Sequence, residues 1–276
     1  MHLLQSISDL FIIFSNAKAI SVIAIVGLLF FEKQFLAPVL LLLFTIILNV
    51  LLKSFFGIPF PPELVQRLGK DGFSFPSGHM QSSVVFYGWF VIYYSHLWLR
   101  AILLLVITGI GFALIYEGYH NIYDVLGALF FGIITIGFYR FLFHLITLKN
   151  PQLPEKMFIP VSVFCLSTFL TIMVNNSYHI LPKHIIIVMW LICGLTIGYA
   201  ASFHYEKKYK TYHLSFIIFA LLMTFVALFI AKPNLFVLKQ AEWLFLASSL
   251  PFLAILLRKS NLMGRLTTDN SRINPR

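Results

Sequence analysis

Apolar runs of about twenty residues recur along this chain, and a run of that length crosses a bilayer as a helix. The spans drawn from them are 16–31, 35–52, 79–97, 101–117, 123–146, 157–175, 184–203, 213–231 and 241–257. Hydrophobic residues make up 59% of the chain and charged residues 11%, with a mean hydropathy of +0.89. Those values lie outside the range of soluble domains. The expected fold is therefore an all-α membrane protein, a polytopic helical bundle.

Residues 1–15 contain Asp9 and lack a basic n-region, so they are expected as an interfacial helix leading into the first span, not as a secretory signal. One long polar interruption, Lys53 to Ser77, holds Pro59, Pro61 and Pro62, a polar segment from Glu63 to Leu68 and an Asp71-Gly72 turn. Cys165 and Cys193 both fall inside spans, which predicts buried thiols with no disulfide and no zinc site. The net charge of +10 does not point to nucleic acid, because the basic residues stand singly or in short clusters at span ends. Thirteen Lys and Arg fall on one side of the drawn spans and six on the other. The richer side is expected to face the cytoplasm. That puts the Lys53–Ser77 loop and the turn holding His120 together on the outer, periplasmic face of a bacterial-type inner membrane.

Phe73-Ser74-Phe75-Pro76-Ser77-Gly78-His79 precedes the third span. Ser77 is a good helix N-cap, and Gly78 lets a ligand approach the backbone. The first turn of such a helix offers unpaired N–H groups and the positive dipole end, which together suit an anion. His79 falls on that turn. Further along, His120 and Asp124 stand four apart and share a helix face. A carboxylate holding one imidazole nitrogen leaves the other as nucleophile or base. Asp124 at a span entrance also requires a partner. Two histidines, a carboxylate and a helix N-terminus suggest phosphoryl chemistry. Ala128 and Gly132 read as helix-packing residues. His96, His144, His179, His184, His204 and His213 lie at span ends and read as interfacial.

Three blocks of this sequence resemble a known family. Lys53, then Phe75-Pro76-Ser77-Gly78-His79, then Tyr116 through Gly127 with His120-Asn121-Ile122-Tyr123-Asp124 inside it, look like the signature blocks of the type 2 phosphatidic acid phosphatase (PAP2) superfamily. These are integral-membrane lipid phosphatases with a histidine nucleophile and no metal or other cofactor. The resemblance covers residues 1–147 as a PAP2-like membrane core. It implies that His120 attacks phosphorus to form a phosphohistidine and that Asp124 orients it. It also implies that His79 protonates the leaving oxygen, while Lys53 and the backbone N–H groups near Ser77 and Gly78 bind the phosphate. Residues 148–258, a C-terminal transmembrane extension, and 259–276, a polar cytoplasmic tail, carry no matching motif.

The chain departs from that pattern at two places. Where the family has phosphate-binding arginines, this sequence has Phe60 and Leu114. Arg67 and Lys70, in the same outward loop, are the candidate substitute cations. Glu117, three residues before His120, opposes anion binding unless it is paired. The expected function is a lipid phosphate or diphosphate phosphatase, with a lipid phosphate or an isoprenyl diphosphate as substrate. The alternatives are a catalytically impaired PAP2-like protein that binds or moves a lipid, and a lipid phosphotransferase.

Overall fold

The computed structural model describes residues 2–68, 72–149, 155–178, 182–208 and 236–259. Every regular element among them is a helix. In chain order these are α1 (His2–Ser15), α2 (Ala17–Phe30), α3 (Glu32–Phe56), α4 (Pro62–Leu68), α5 (Gly78–Tyr93), α6 (Leu97–Tyr116), α7 (Ile122–Lys149), α8 (Glu155–Tyr178), α9 (Lys183–Lys208) and α10 (Phe236–Lys259). Four are long and apolar enough to cross a membrane: α3, α6, Ile122–Leu145 of α7 and Lys183–Ser202 of α9. The pair α1 and α2, bent at their junction, would make a fifth if it is one span. The protein is thus an all-α, multi-pass membrane protein.

One drawn span is shorter than expected. The window 79–97 becomes α5, whose 16 residues reach only about 24 Å. Its early turns carry Gln81 and Ser83, both fully buried against neighbouring helices. The windows 157–175 and 241–257 fall in α8 and α10, each a helix of 24 residues. The window 213–231 lies outside the described residues.

The described residues form two compact units. The first takes those within Met1–Val22, Pro38–Leu153 and Cys165–Val188, and the second those within Ile23–Ala37, Pro154–Phe164 and Met189–Arg276. In the first unit α5 packs against α6, α7 and α1. Leu41, Val85 and Ile136 form a buried cluster with Trp89 and Tyr139 against it. Ala128 is fully buried, and a Cβ at Gly132 would stand 2.7 Å from Val84, so this pair does bring α7 close to α5. The expectation of an interfacial first helix is corrected. α1 lies along α6, with the Phe11 ring over Gly109, where a Cβ would come within 2.3 Å of it. The Tyr87 hydroxyl of α5 also donates to the Phe14 carbonyl at 2.8 Å.

In the second unit α9 and α10 approach through Gly194 and Gly198. A Cβ at either would lie 2.5 Å from a carbonyl oxygen, that of Leu244 or of Ser248. Two glycines four apart clear one helix face for a neighbouring backbone, which dispersion then holds. Between them Thr196 donates to the Pro160 carbonyl of α8 at 3.2 Å.

Candidate active site

The site assembles at one end of the first unit, from the end of α3 and the starts of α5 and α7. α3 stops at Gly57, whose φ of +61° is the left-handed conformation that closes a helix, and its N–H returns to the Lys53 carbonyl at 2.9 Å. The loop beyond folds back on itself. Phe60 N–H donates to the Gly72 carbonyl at 3.1 Å, and Ser74 N–H to the Ile58 carbonyl at 2.8 Å. The Lys53 ammonium points into this loop and donates to the carbonyls of Phe73 and, at 3.3 Å, of Ser74.

One turn earlier on the same face of α3, Asn49 performs a similar task. Its amide donates to the Pro76 carbonyl at 3.1 Å and to the Gln81 side chain at 2.8 Å. Both side chains are buried, so each contact is made out of water, where an unpaired amide is costly. Gly78 lets the segments cross closely, since a Cβ there would stand 3.0 Å from the Asn49 Oδ1.

Ser77 caps α5 as expected, its Oγ accepting from Met80 N–H at 3.5 Å. The Ser77 N–H, however, donates to the main-chain oxygen of Asp124 at 3.1 Å. The two motif blocks are therefore tied together by a backbone hydrogen bond. Among the described residues, the N–H groups of Gly78 and His79, the first two of the helix, are the donors left without a partner at its start. His79 is exposed on that turn and lies within electrostatic range of His120 and Lys53.

His120 stands on the turn between α6 and α7. That turn needs Gly118, whose φ is +66°. The Leu114 carbonyl accepts from both Tyr119 N–H at 3.0 Å and His120 N–H at 3.2 Å. α7 then opens with a reciprocal cap: Asp124 N–H donates to the Asn121 side chain at 2.9 Å, and Asn121 N–H to Asp124 Oδ2 at 3.2 Å. The same Oδ2 lies 3.3 Å from His120 Nδ1, and Oδ1 accepts from Ser74 Oγ at 3.3 Å. Asp124 is 2% exposed, so these contacts hold a buried carboxylate. They fix the imidazole with Nδ1 engaged and Nε2 left for chemistry.

The match to known families can be placed on this geometry. Residues 34–147, which include every one of these side chains, match the family model of the PAP2 superfamily. The match covers less than half of the chain, and within it the residues are PAP2-like. No curated protein and no solved structure matches the chain. The match supports a phosphatase-type function in a multi-pass membrane protein.

Within the PAP2 region, the structure brings Lys53, Ser77, Gly78, His79, His120 and Asp124 to one end of the bundle. It also answers the question about Glu117. That carboxylate accepts from Gln5 at 2.9 Å and from Ser8 at 2.8 Å, so it is paired with α1. Arg67 braces the turn before His120, donating to the Glu117 carbonyl at 2.7 Å with its guanidinium 5.2 Å from the Tyr119 ring centre. Lys70 lies outside the described residues. At the two departures from the family pattern the side chains are apolar and packed. Leu114 is buried. The Phe60 ring lies 5.8 Å from the His120 ring and 5.2 Å from the Lys53 ammonium. Asn49, Ser74 and Asn121 were not singled out from sequence. Asn49 had a signal, an amide four residues before Lys53 in the apolar run from Ile46 to Leu52.

Proposed function

We propose that this protein is an integral-membrane phosphatase for lipid phosphates or diphosphates, working at the extracytoplasmic face of a bacterial-type inner membrane through a phosphohistidine on His120. The observation that carries this reading is the linkage from Asp124 to both blocks. Its side chain orients His120 and its main-chain oxygen receives Ser77 N–H, so nucleophile and helix start are held in one frame.

In this reading the substrate phosphate sits against the first N–H groups of α5, where the dipole end and unpaired donors favour an anion. Lys53 supplies charge, and Arg67 steadies the His120 turn while adding positive potential beside it. His120 Nε2 attacks phosphorus as the lipid oxygen departs, taking a proton from His79. Water, giving a proton to the now neutral His79, then attacks phosphorus; the nitrogen–phosphorus bond breaks, and inorganic phosphate leaves. Asp124 stabilises the imidazolium character that develops in both steps. Phosphoryl transfer asks a protein chiefly for this positioning and charge compensation. Residues 1–147 form the catalytic core in this account, 148–258 a transmembrane extension and 259–276 a cytoplasmic tail.

A second reading is favoured by one contact. Phe60 lies beside both Lys53 and His120, where cationic charge would assist turnover, and Lys53 itself is engaged by two carbonyls. A lipid-binding PAP2 protein without turnover would retain the cradle and tolerate that ring. The deciding experiment is phosphate release by the full-length protein in mixed micelles, over phosphatidate, phosphatidylglycerophosphate and isoprenyl diphosphate. Release above a His120→Ala control supports the phosphatase. Absence of release over the whole panel supports the binding protein.

A further inference from the structure

At the far end of the first unit, about 20–25 Å along α5 and α7 from His79 and Asp124, lies a cavity of about 410 Å³. Trp89, Ile92 and Tyr93 of α5 form one wall, and Tyr139, Arg140, Phe143 and His144 of α7 the other. Trp89 and Tyr93 stand four apart, as do Arg140 and His144, so each helix turns one face toward the cavity. The Trp89 and Tyr139 rings meet edge to face at 5.5 Å, and Tyr139 stacks on Phe143. The floor is thereby built from packed rings, continuous with the core cluster around Val85 and Ile136.

The charge in this cavity is what calls for an occupant. Among the described residues Arg140 makes no hydrogen bond and no ion pair. Arg100, at the same end of the bundle, already donates to the Tyr94 carbonyl at 2.6 Å. The Trp89 indole N–H adds a buried donor without a partner among the described residues. An arginine at a span end ordinarily snorkels into disordered headgroups. Here it stands instead in a concave, aromatic-walled pocket, which can hold one headgroup in place. A largely apolar route for a chain is also present, since Ile92 is shared with a second cavity of about 500 Å³ whose other lining residues are Val91, Leu97, Ala101, Leu104 and the already engaged Arg100.

We propose that this pocket is a binding site for an anionic phospholipid, with the headgroup phosphate on Arg140 and an acyl chain passing over Ile92. Basic pockets between transmembrane helices suit such headgroups, and a charge-assisted contact to phosphate is among the stronger ones a side chain makes. The site lies at the opposite end from His120 and does not depend on the phosphatase reading. With the orientation proposed above, its lipid belongs to the cytoplasmic leaflet. His144, read from sequence as interfacial only, becomes part of the pocket wall.

The test uses the full-length protein in phosphatidylcholine nanodiscs, titrated with phosphatidylglycerol carrying brominated acyl chains and read by tryptophan fluorescence. Brominated phosphatidylglycerol should quench at concentrations about tenfold lower than brominated phosphatidylcholine, the scale of one charge-assisted contact. Trp89→Phe should remove that component, and Arg140→Gln should bring the two lipids to equal potency. If Arg140→Gln does not reconstitute, Arg140→Lys keeps the question open to decision, because it should retain a clear preference for the anionic lipid. Equal quenching by both lipids in the unaltered protein overturns the proposal. So does a preference that survives Arg140→Gln or disappears in Arg140→Lys. Displacement of the brominated lipid by millimolar inorganic phosphate overturns the lipid assignment, because the pocket would then be an anion site.

Discussion

Replacing Phe60 by arginine tests the local electrostatics of the PAP2 site most sharply. The ring now lies 5.2 Å from the Lys53 ammonium and 5.8 Å from the His120 ring. A guanidinium at that separation would repel Lys53 by about 3 kcal/mol at an effective dielectric of 20. The empty protein should therefore lose several degrees of melting temperature. A bound phosphate dianion reverses the balance, because it then faces two cations where it had one. Phe60→Arg should regain its lost stability in millimolar phosphate or vanadate, while the unaltered protein responds less. In the transition state one further positioned donor is worth about a hundredfold or more in turnover. Phosphate release from lipid phosphates in mixed micelles, measured beside a thermal melt with and without vanadate, reads both effects. Unchanged turnover together with a melting temperature indifferent to vanadate would refute the idea that the ring stands where the substrate phosphate binds.

Other perturbations follow from the same contacts. Asp124→Ala leaves Ser74 Oγ, Asn121 N–H and His120 Nδ1 without their acceptor; at about 1 kcal/mol each, it should lower stability in a melt by about 3 kcal/mol and abolish phosphate release. Asp124→Asn keeps an acceptor oxygen and should cost less stability, with activity still lost. Gly127→Ala ordinarily favours a helix by about 0.5–1 kcal/mol, yet its Cβ would come within 2.2 Å of the Phe75 ring. The collision should win by about 1–3 kcal/mol and lower activity by shifting the Phe75–His79 segment. Cysteines placed at Glu63 and at Asp269 test orientation, and a membrane-impermeant maleimide on intact cells should label only the first.

The parts of the site that were legible in the sequence are local. Ser77 took its expected place as a cap, and His120 meets Asp124 as their spacing suggested, though from the turn before α7 and not from the helix itself. The contacts that join elements were not legible. Lys53 turns to the carbonyls of Phe73 and Ser74, and Asn49 reaches Pro76 and Gln81, because the loop folds back on α3. Nothing in the spacing of those residues announces it. The sign of Glu117 depended in the same way on Gln5 and Ser8, more than a hundred residues earlier. α5 was drawn too long because Tyr94, Ser95 and His96 interrupt a run that hydropathy alone reads through. Gly194 and Gly198 were readable at four-residue spacing and were missed, since apolarity drew attention to the span and away from its small residues.

The central claim is that His120 carries the phosphoryl group. The most direct measurement is rapid quench of the reconstituted protein with ³²P-labelled lipid phosphate, followed by mapping of the bound label by mass spectrometry. The account predicts an acid-labile, alkali-stable label on the peptide containing His120, absent from His120→Ala. Phosphate release that persists in His120→Ala, or a label on any other residue, would contradict it.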